Sequence, residues 1–201
     1  MPIYHNEIKR IKSKGTVNFI QINHLGQTIT LKLVDDSDET SYLLTEWRKK
    51  YHNMFKSFFK ISEKRTKNWI KENILKNPDR ILFVIYLNET KVGTIGTAFY
   101  DEKINSAQID NLMKSPSCNY PPLIPLVEQV YLKWMFDSLK LSKIHGLLFR
   151  DNFPTMILHK SCGFKVIETF PIKKIFSKDG WTWKKTDPKS ETKPVERYFN
   201  V

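Results

Sequence analysis

Apolar positions along the chain switch between two periods, and the switches mark out its elements. TVNFIQI (16–22) and QTITLKLV (27–34) alternate apolar and polar residues around NHLG (23–26), which predicts a hairpin over 16–34. The acidic run Asp35, Asp36, Ser37, Asp38 offers helix N-caps, and Leu43, Leu44 and Trp47 then share one helical face over 39–50. A second helix is predicted over 62–77, with Trp69, Ile70, Ile74 and Leu75 at helical period and Asn77-Pro78 as its stop. RILFVIYL (80–87) is an almost unbroken apolar run, as a strand buried on both faces requires. Strands follow at 91–101 (KVGTIGTAFYD) and 106–113 (SAQIDNLM), then a long helix over 121–140. Beyond it lie a strand at 143–150, a short helix at 154–162 and a strand at 163–171. KKIFSKDGWTWKK (173–185) predicts a hairpin turning at Lys-Asp-Gly, and residues 186–194 are polar and expected to be loose.

This order, β β α α β β β α β α β β, predicts an α/β protein with a single mixed central sheet flanked by helices. No linker interrupts it, so residues 1–201 read as one domain. Residues 1–26 form an N-terminal extension and extra strand, and 173–201 a C-terminal hairpin and loose tail. With 40% hydrophobic and 27% charged residues, wholesale disorder is excluded. No apolar run approaches the roughly 20 residues of a membrane span, and the N-terminus lacks a signal-peptide core, so a cytoplasmic location is expected. Cys118 and Cys162 have no metal-ligand spacing; two thiols and no metal are expected. The net charge of +12 invites a nucleic-acid reading. Yet only six of the 33 basic residues are arginine, the preferred reader of bases, and the lysines run along the whole chain. No nucleic-acid partner is therefore expected.

LTEWRKK (44–50), NWI (68–70), LFVIY with KVGTIGTAFYD (82–101), QIDN (108–111) and DNFPTMILHKSCGF (151–164) follow in one order at set intervals. Together they resemble the GNAT superfamily of acyl-CoA N-acyltransferases over about residues 27–172. The likeness is greatest to the branch holding ribosomal-protein N-acetyltransferases and enzymes that acylate nucleotide-linked amino sugars. The resemblance implies a GNAT-like fold and acyl-CoA (acetyl-CoA or a short-chain acyl-CoA) as co-substrate. It also implies that backbone N–H groups at Leu112 and Met113 face the thioester carbonyl. Asp110 would engage the acceptor amine, or else cap a neighbouring turn. His159 stands four residues before Gly163, where the family has a proton-donating tyrosine; the alternative is a surface histidine of the helix. Asn152 would hold the CoA arm, or simply make a turn.

One stretch departs from the family. A basic, glycine-rich loop normally precedes the central helix and cradles the CoA pyrophosphate on backbone N–H groups. Here SPSCNYPPLIPLVEQ (115–129) has four prolines and no glycine, leaving Leu123 and Ile124 as donors, with lysines as helpers. On the acceptor side the resemblance points to Trp47, Arg48, His52, Trp69 and Asn111. Their alternatives are core packing for both tryptophans, a salt bridge from Arg48 to Glu46 or Asp38, and strand termination at Asn111. The implied activity is transfer of an acetyl or short acyl group to a nucleotide-linked amino deoxysugar for surface polysaccharide synthesis. Arg48 would meet the diphosphate, and His52, Phe55, Phe58 and Phe59 would stack on the base or sugar, or else pack the joint between the two helices. The other readings are a protein N-terminal acetyltransferase and a non-catalytic GNAT-like binding module. Trp181 and Trp183 on the tail hairpin offer a homodimer surface.

Overall fold

The computed structural model describes residues 2–187 and 197–201, so most of the stretch expected to be loose lies outside the described residues. In chain order the elements begin with α1 (Ile3–Lys14), β1 (Asn18–His24), β2 (Gln27–Leu33), α2 (Asp38–Lys50) and β3 (Ser57–Phe59). Next come α3 (Glu63–Trp69), continued by a π-helical segment (Ile70–Leu75), then β4 (Ile81–Leu87), β5 (Thr90–Asp101), β6 (Ser106–Lys114) and α4 (Leu123–Asp137). The last are β7 (Lys143–His145), β8 (Leu148–Phe149), α5 (Phe153–Ser161), β9 (Thr169–Ser177), β10 (Gly180–Lys185) and β11 (Arg197–Asn200). Contacts divide the chain into two compact units: Met1–Trp47 with Ser62–His145, and Arg48–Ile61 with Gly146–Val201.

The first unit holds a six-stranded sheet in the order β1-β2-β4-β5-β6-β7. Neighbours run antiparallel except β6 and β7, which are parallel. β4 is covered on both faces, which is why its sequence is apolar throughout. Leu82, Val84 and Tyr86 pack with Leu44 and Trp47 of α2 and with Ile70 and Ile74 of the π-helical segment. The alternate residue Phe83 meets Phe19, Tyr131 and Trp134 in an aromatic cluster. α1 is not foreseen by the sequence pattern. Only Tyr4, Ile8 and Ile11 of its twelve residues are buried, and Tyr4 stacks on Tyr100 with ring centroids 4.1 Å apart.

The second unit has its own five-stranded sheet, ordered β3-β10-β9-β11-β8. The strands thus form two sheets where the sequence pattern predicts one. The expected strand over 143–150 breaks after His145, its first part pairing in one sheet and its second in the other. The strand expected over 163–171 begins only at Thr169. Phe149, Ile172, Trp183 and Phe199 form this unit's core. Trp183 is therefore packing its own unit and is not a dimer surface. Cys118 and Cys162 form no disulfide. Among the described residues no helix is long and apolar enough to cross a membrane.

Candidate functional site

β5 and β6 pair with Thr94 opposite Met113 and Gly96 opposite Asp110. Ile95 therefore faces two residues, Asn111 and Leu112, which is a β-bulge. Asn111 takes a left-handed backbone (φ 50°), a conformation asparagine tolerates better than most residues. The Thr94 hydroxyl donates to the Asn111 carbonyl at 2.7 Å, pinning the bulge from the neighbouring strand. The two glycines of KVGTIG are required here by close backbone approach. A Cβ at Gly93 would lie 2.4 Å from the Met113 carbonyl oxygen, and one at Gly96 would lie 2.5 Å from that of Ile81. Parallel pairing of β6 with β7 runs from Ser106–Lys143 to Gln108–His145 and stops. Within this unit, Ile109–Lys114 has no parallel strand on that edge, so alternate residues turn backbone groups outward unpaired by the ladder. Leu112 and Met113 lie on this stretch.

Asp110 is held by two donors. Arg80 Nη2 donates to its Oδ2 at 2.8 Å and Asn111 Nδ2 to the same oxygen at 2.6 Å. Both ion-paired side chains are only 21% exposed, and the guanidinium lies 5.5 Å from the Phe99 ring. Asp110 therefore caps no turn, and Asn111 does more than end a strand. Arg80 is the site residue the sequence reading misses. Thirty positions separate it from Asp110, and only strand register joins them: Ile81 pairs with Thr97 and Gly96 with Asp110. Nothing local in the sequence signals that pairing. His145, where the parallel pairing ends, is a second group missed. Burial lowers its pKa, and the Lys143 charge lowers it further.

The start of α4 departs from expectation. The Leu123 N–H donates to Tyr120 O, and its side chain is fully buried. Leu126 N–H bonds Pro122 O, and Pro125 has no N–H, so of the two expected donors only Ile124 is left to face a phosphate. Trp47, 4% exposed, and Trp69, packed on the same cluster, hold their helices to β4. Trp47 is thus a core residue, and Trp69 is half-buried against the same cluster.

The remaining candidates belong to the second unit. Asn152 caps α5, its Oδ1 accepting from Thr155 N–H at 3.4 Å. His159 is 8% exposed with its ring 5.0 Å from Phe164, so it is no surface histidine. Arg48 spreads its guanidinium over Phe55 (4.1 Å) and Phe59 (4.7 Å) and donates to Ser57 O. Asp38, once its expected partner, pairs with Lys67 instead. His52 Nδ1 sits 2.9 Å from Lys49 O, and its ring meets Phe58 edge-on.

The charge is not spread along the chain. The second unit carries 16 Lys and Arg against 6 Asp and Glu, a surplus of ten, while the first carries 17 against 15. Among the described residues there is no group of three or more His, Cys, Asp or Glu able to hold a metal.

No family model matches the chain, and neither does any curated protein sequence. Solved structures do match. The alpha-N-protein acetyltransferase RimL, which acts on a ribosomal protein, was solved in complex with coenzyme A. It is 12% identical and superposes with a TM-score of 0.65 over 86% of this chain and 93% of its own. A dodecameric spermidine N-acetyltransferase from Vibrio cholerae is 13% identical, with a TM-score of 0.61 over 86% and 92%. A ribosomal-protein alanine acetyltransferase from Vibrio fischeri is 12% identical, with a TM-score of 0.59 over 90% and 95%. The chain has the fold of these acetyltransferases, the mixed α/β GNAT fold.

Proposed function

We propose that this chain is an acyl-CoA-dependent N-acyltransferase whose reaction is seated on the β6 bulge. The observation that carries the proposal is the bulge itself, beside an edge with no parallel partner in its unit. Such an edge accepts the amide-bearing arm of CoA as an added strand would be accepted, by backbone hydrogen bonds. In this reading the thioester carbonyl lies at the bulge, beside backbone N–H groups around Leu112 that the ladder leaves unpaired, while Met113 stands opposite Thr94 inside the ladder. The acceptor nitrogen attacks the carbonyl carbon, and the oxygen takes negative charge that those N–H groups stabilise. The C–S bond then breaks, the thiolate leaves and takes a proton, and the nitrogen loses one. Asp110, fixed by Arg80 and Asn111, orients the incoming amine through its second carboxylate oxygen. The diphosphate end of CoA fits less fully, since the first turn of α4 offers it one N–H, from Ile124.

The net charge of +12 favours an anionic acceptor, and a nucleotide-linked amino deoxysugar is the acceptor we propose. Such a product would serve surface polysaccharide synthesis in the cytoplasm. Acetylation of a protein amino terminus is the second reading, because two of the similar structures are named as acting on ribosomal proteins. The deciding experiment mixes the protein with acetyl-CoA and, in turn, amino-sugar nucleotides, amino-terminal peptides and spermidine, and follows thiol release. Turnover with the amino-sugar nucleotides supports the first acceptor and turnover with peptides the second. Absence of thiol release across the whole panel refutes the activity.

A further inference from the structure

Three aromatic side chains from three strands of the second unit stand in one row. Trp181 of β10 is the register partner of Phe58 on β3 and of Phe176 on β9, so all three project from the same face of the sheet. Phe58 and Trp181 stack, 5.7 Å between centroids and 17° from parallel. The face is continuous with the unit's core at Trp183, yet at this end it emerges into solvent, with Phe176 73% exposed and Phe58 36%. The Lys174 ammonium lies over both tryptophans, at 5.0 and 5.1 Å. Lys56, Lys178 and Lys184 are exposed on and beside these strands, with Asp179 at the turn as the opposing charge. A cavity of about 320 Å³, lined by the three aromatics among others, opens against them.

A solvated phenylalanine ring beside a stacked Phe58–Trp181 pair, amid a surplus of ten positive charges, suits a polyanion that also carries flat rings. We propose that this face binds single-stranded nucleic acid, a base stacking on the exposed Phe176 ring and the lysines meeting the phosphates. A lone nucleotide would need one ring and two or three cations. Four lysines, Lys56, Lys174, Lys178 and Lys184, match a run of phosphates instead. Expecting no nucleic-acid partner rests on lysines spread evenly, and they are not. The shortage of arginine excludes sequence reading at base edges and leaves stacking and phosphate contact untouched. The proposal does not depend on acyl transfer, and its test uses the full chain without CoA.

Fluorescence anisotropy of a labelled short oligouridylate, titrated with the protein, reads binding directly. For about four phosphate contacts on a single strand, affinity falls roughly 50-fold between 50 and 200 mM salt. Phe176→Ala, a substitution on an exposed ring, is expected to weaken binding roughly 10-fold, as loss of one stacked base does. The pair Lys56→Glu and Lys178→Glu should flatten the salt dependence. Circular dichroism checks that each variant is folded, and tryptophan fluorescence should quench on binding through Trp181. Four results would overturn the proposal: no anisotropy change at low salt, binding indifferent to Phe176→Ala, equal affinity for duplex, or equal affinity for uridine monophosphate.

Discussion

Replacing Arg80 by alanine removes one partner of an ion pair that is four-fifths shielded from water on both sides. At the observed N–O distance of 2.8 Å the charge centres lie roughly 4 Å apart, and in an effective dielectric of about 20 their attraction is about 4 kcal/mol. Part of that is offset by desolvation, and fully buried pairs lose about 3–5 kcal/mol on truncation while exposed pairs lose under about 1. A loss of about 2 kcal/mol is therefore expected, equivalent to roughly 4–8 °C in melting temperature for a chain of this size. Asp110→Asn should cost a similar amount, and the double variant little more than either single one. The assay is a double-mutant cycle by urea denaturation, with kcat/KM measured on the same four proteins. Asp110→Asn should lower kcat/KM by about tenfold or more, and Arg80→Ala should lower it through the misplaced carboxylate. A coupling energy below about 0.5 kcal/mol would refute the argued link between Arg80 and Asp110.

Gly93→Ala sets a methyl group against the Met113 carbonyl and should destabilise by about 3 kcal/mol, the upper end for overpacking, read as a lower urea midpoint. Pro125→Ala adds an N–H to the first turn of α4, so CoA should bind several-fold tighter by calorimetry, with dephosphorylated pantetheine thioesters unaffected. Burial pulls Lys12 from 10.5 down to about 8, although Asp79 pulls the other way. The folded chain thus releases this proton before the unfolded chain does. Between those values the unfolded state binds more protons, and this residue makes stability rise with pH. Lys12→Met should remove that rise, measured as urea midpoints at pH 8 and pH 10 for both proteins. His159→Phe should keep the melting temperature within a few degrees, because the ring packs on Phe164, and a kcat loss beyond tenfold would assign the imidazole a chemical role.

Periodicity alone determined where most elements lie. β4 is apolar at every position because sheet neighbours leave both its faces to be covered, and that pattern is local to seven residues. The hairpin over β1 and β2, the long helix α4 and the turn at Gly180 are likewise local consequences of alternation, helical spacing and turn chemistry. α1 escaped because three buried positions in twelve barely register against a polar helix. Its partners, Tyr100 and the Asp79 carbonyl, lie far along the chain. β3 escaped because three residues inside an aromatic connection carry no period, and only the register with β10 makes them a strand.

The candidate site divides in the same way. QIDN and KVGTIG were legible as a pair of adjoining strands, and Asp110 as a carboxylate worth following. Which donors hold Asp110, and why Gly93 and Gly96 must lack side chains, depend on pairing across three strands, a relation with no fixed sequence separation. Trp47 suited a wall or a core by its helical face, and its 4% exposure against β4 shows that it packs the core. The net charge of +12 was fixed by composition. Its gathering onto one unit depended on which distant segments, 48–61 and 146–201, fold together. Local chemistry sets what each residue is able to do, and long-range pairing sets which residues do it together.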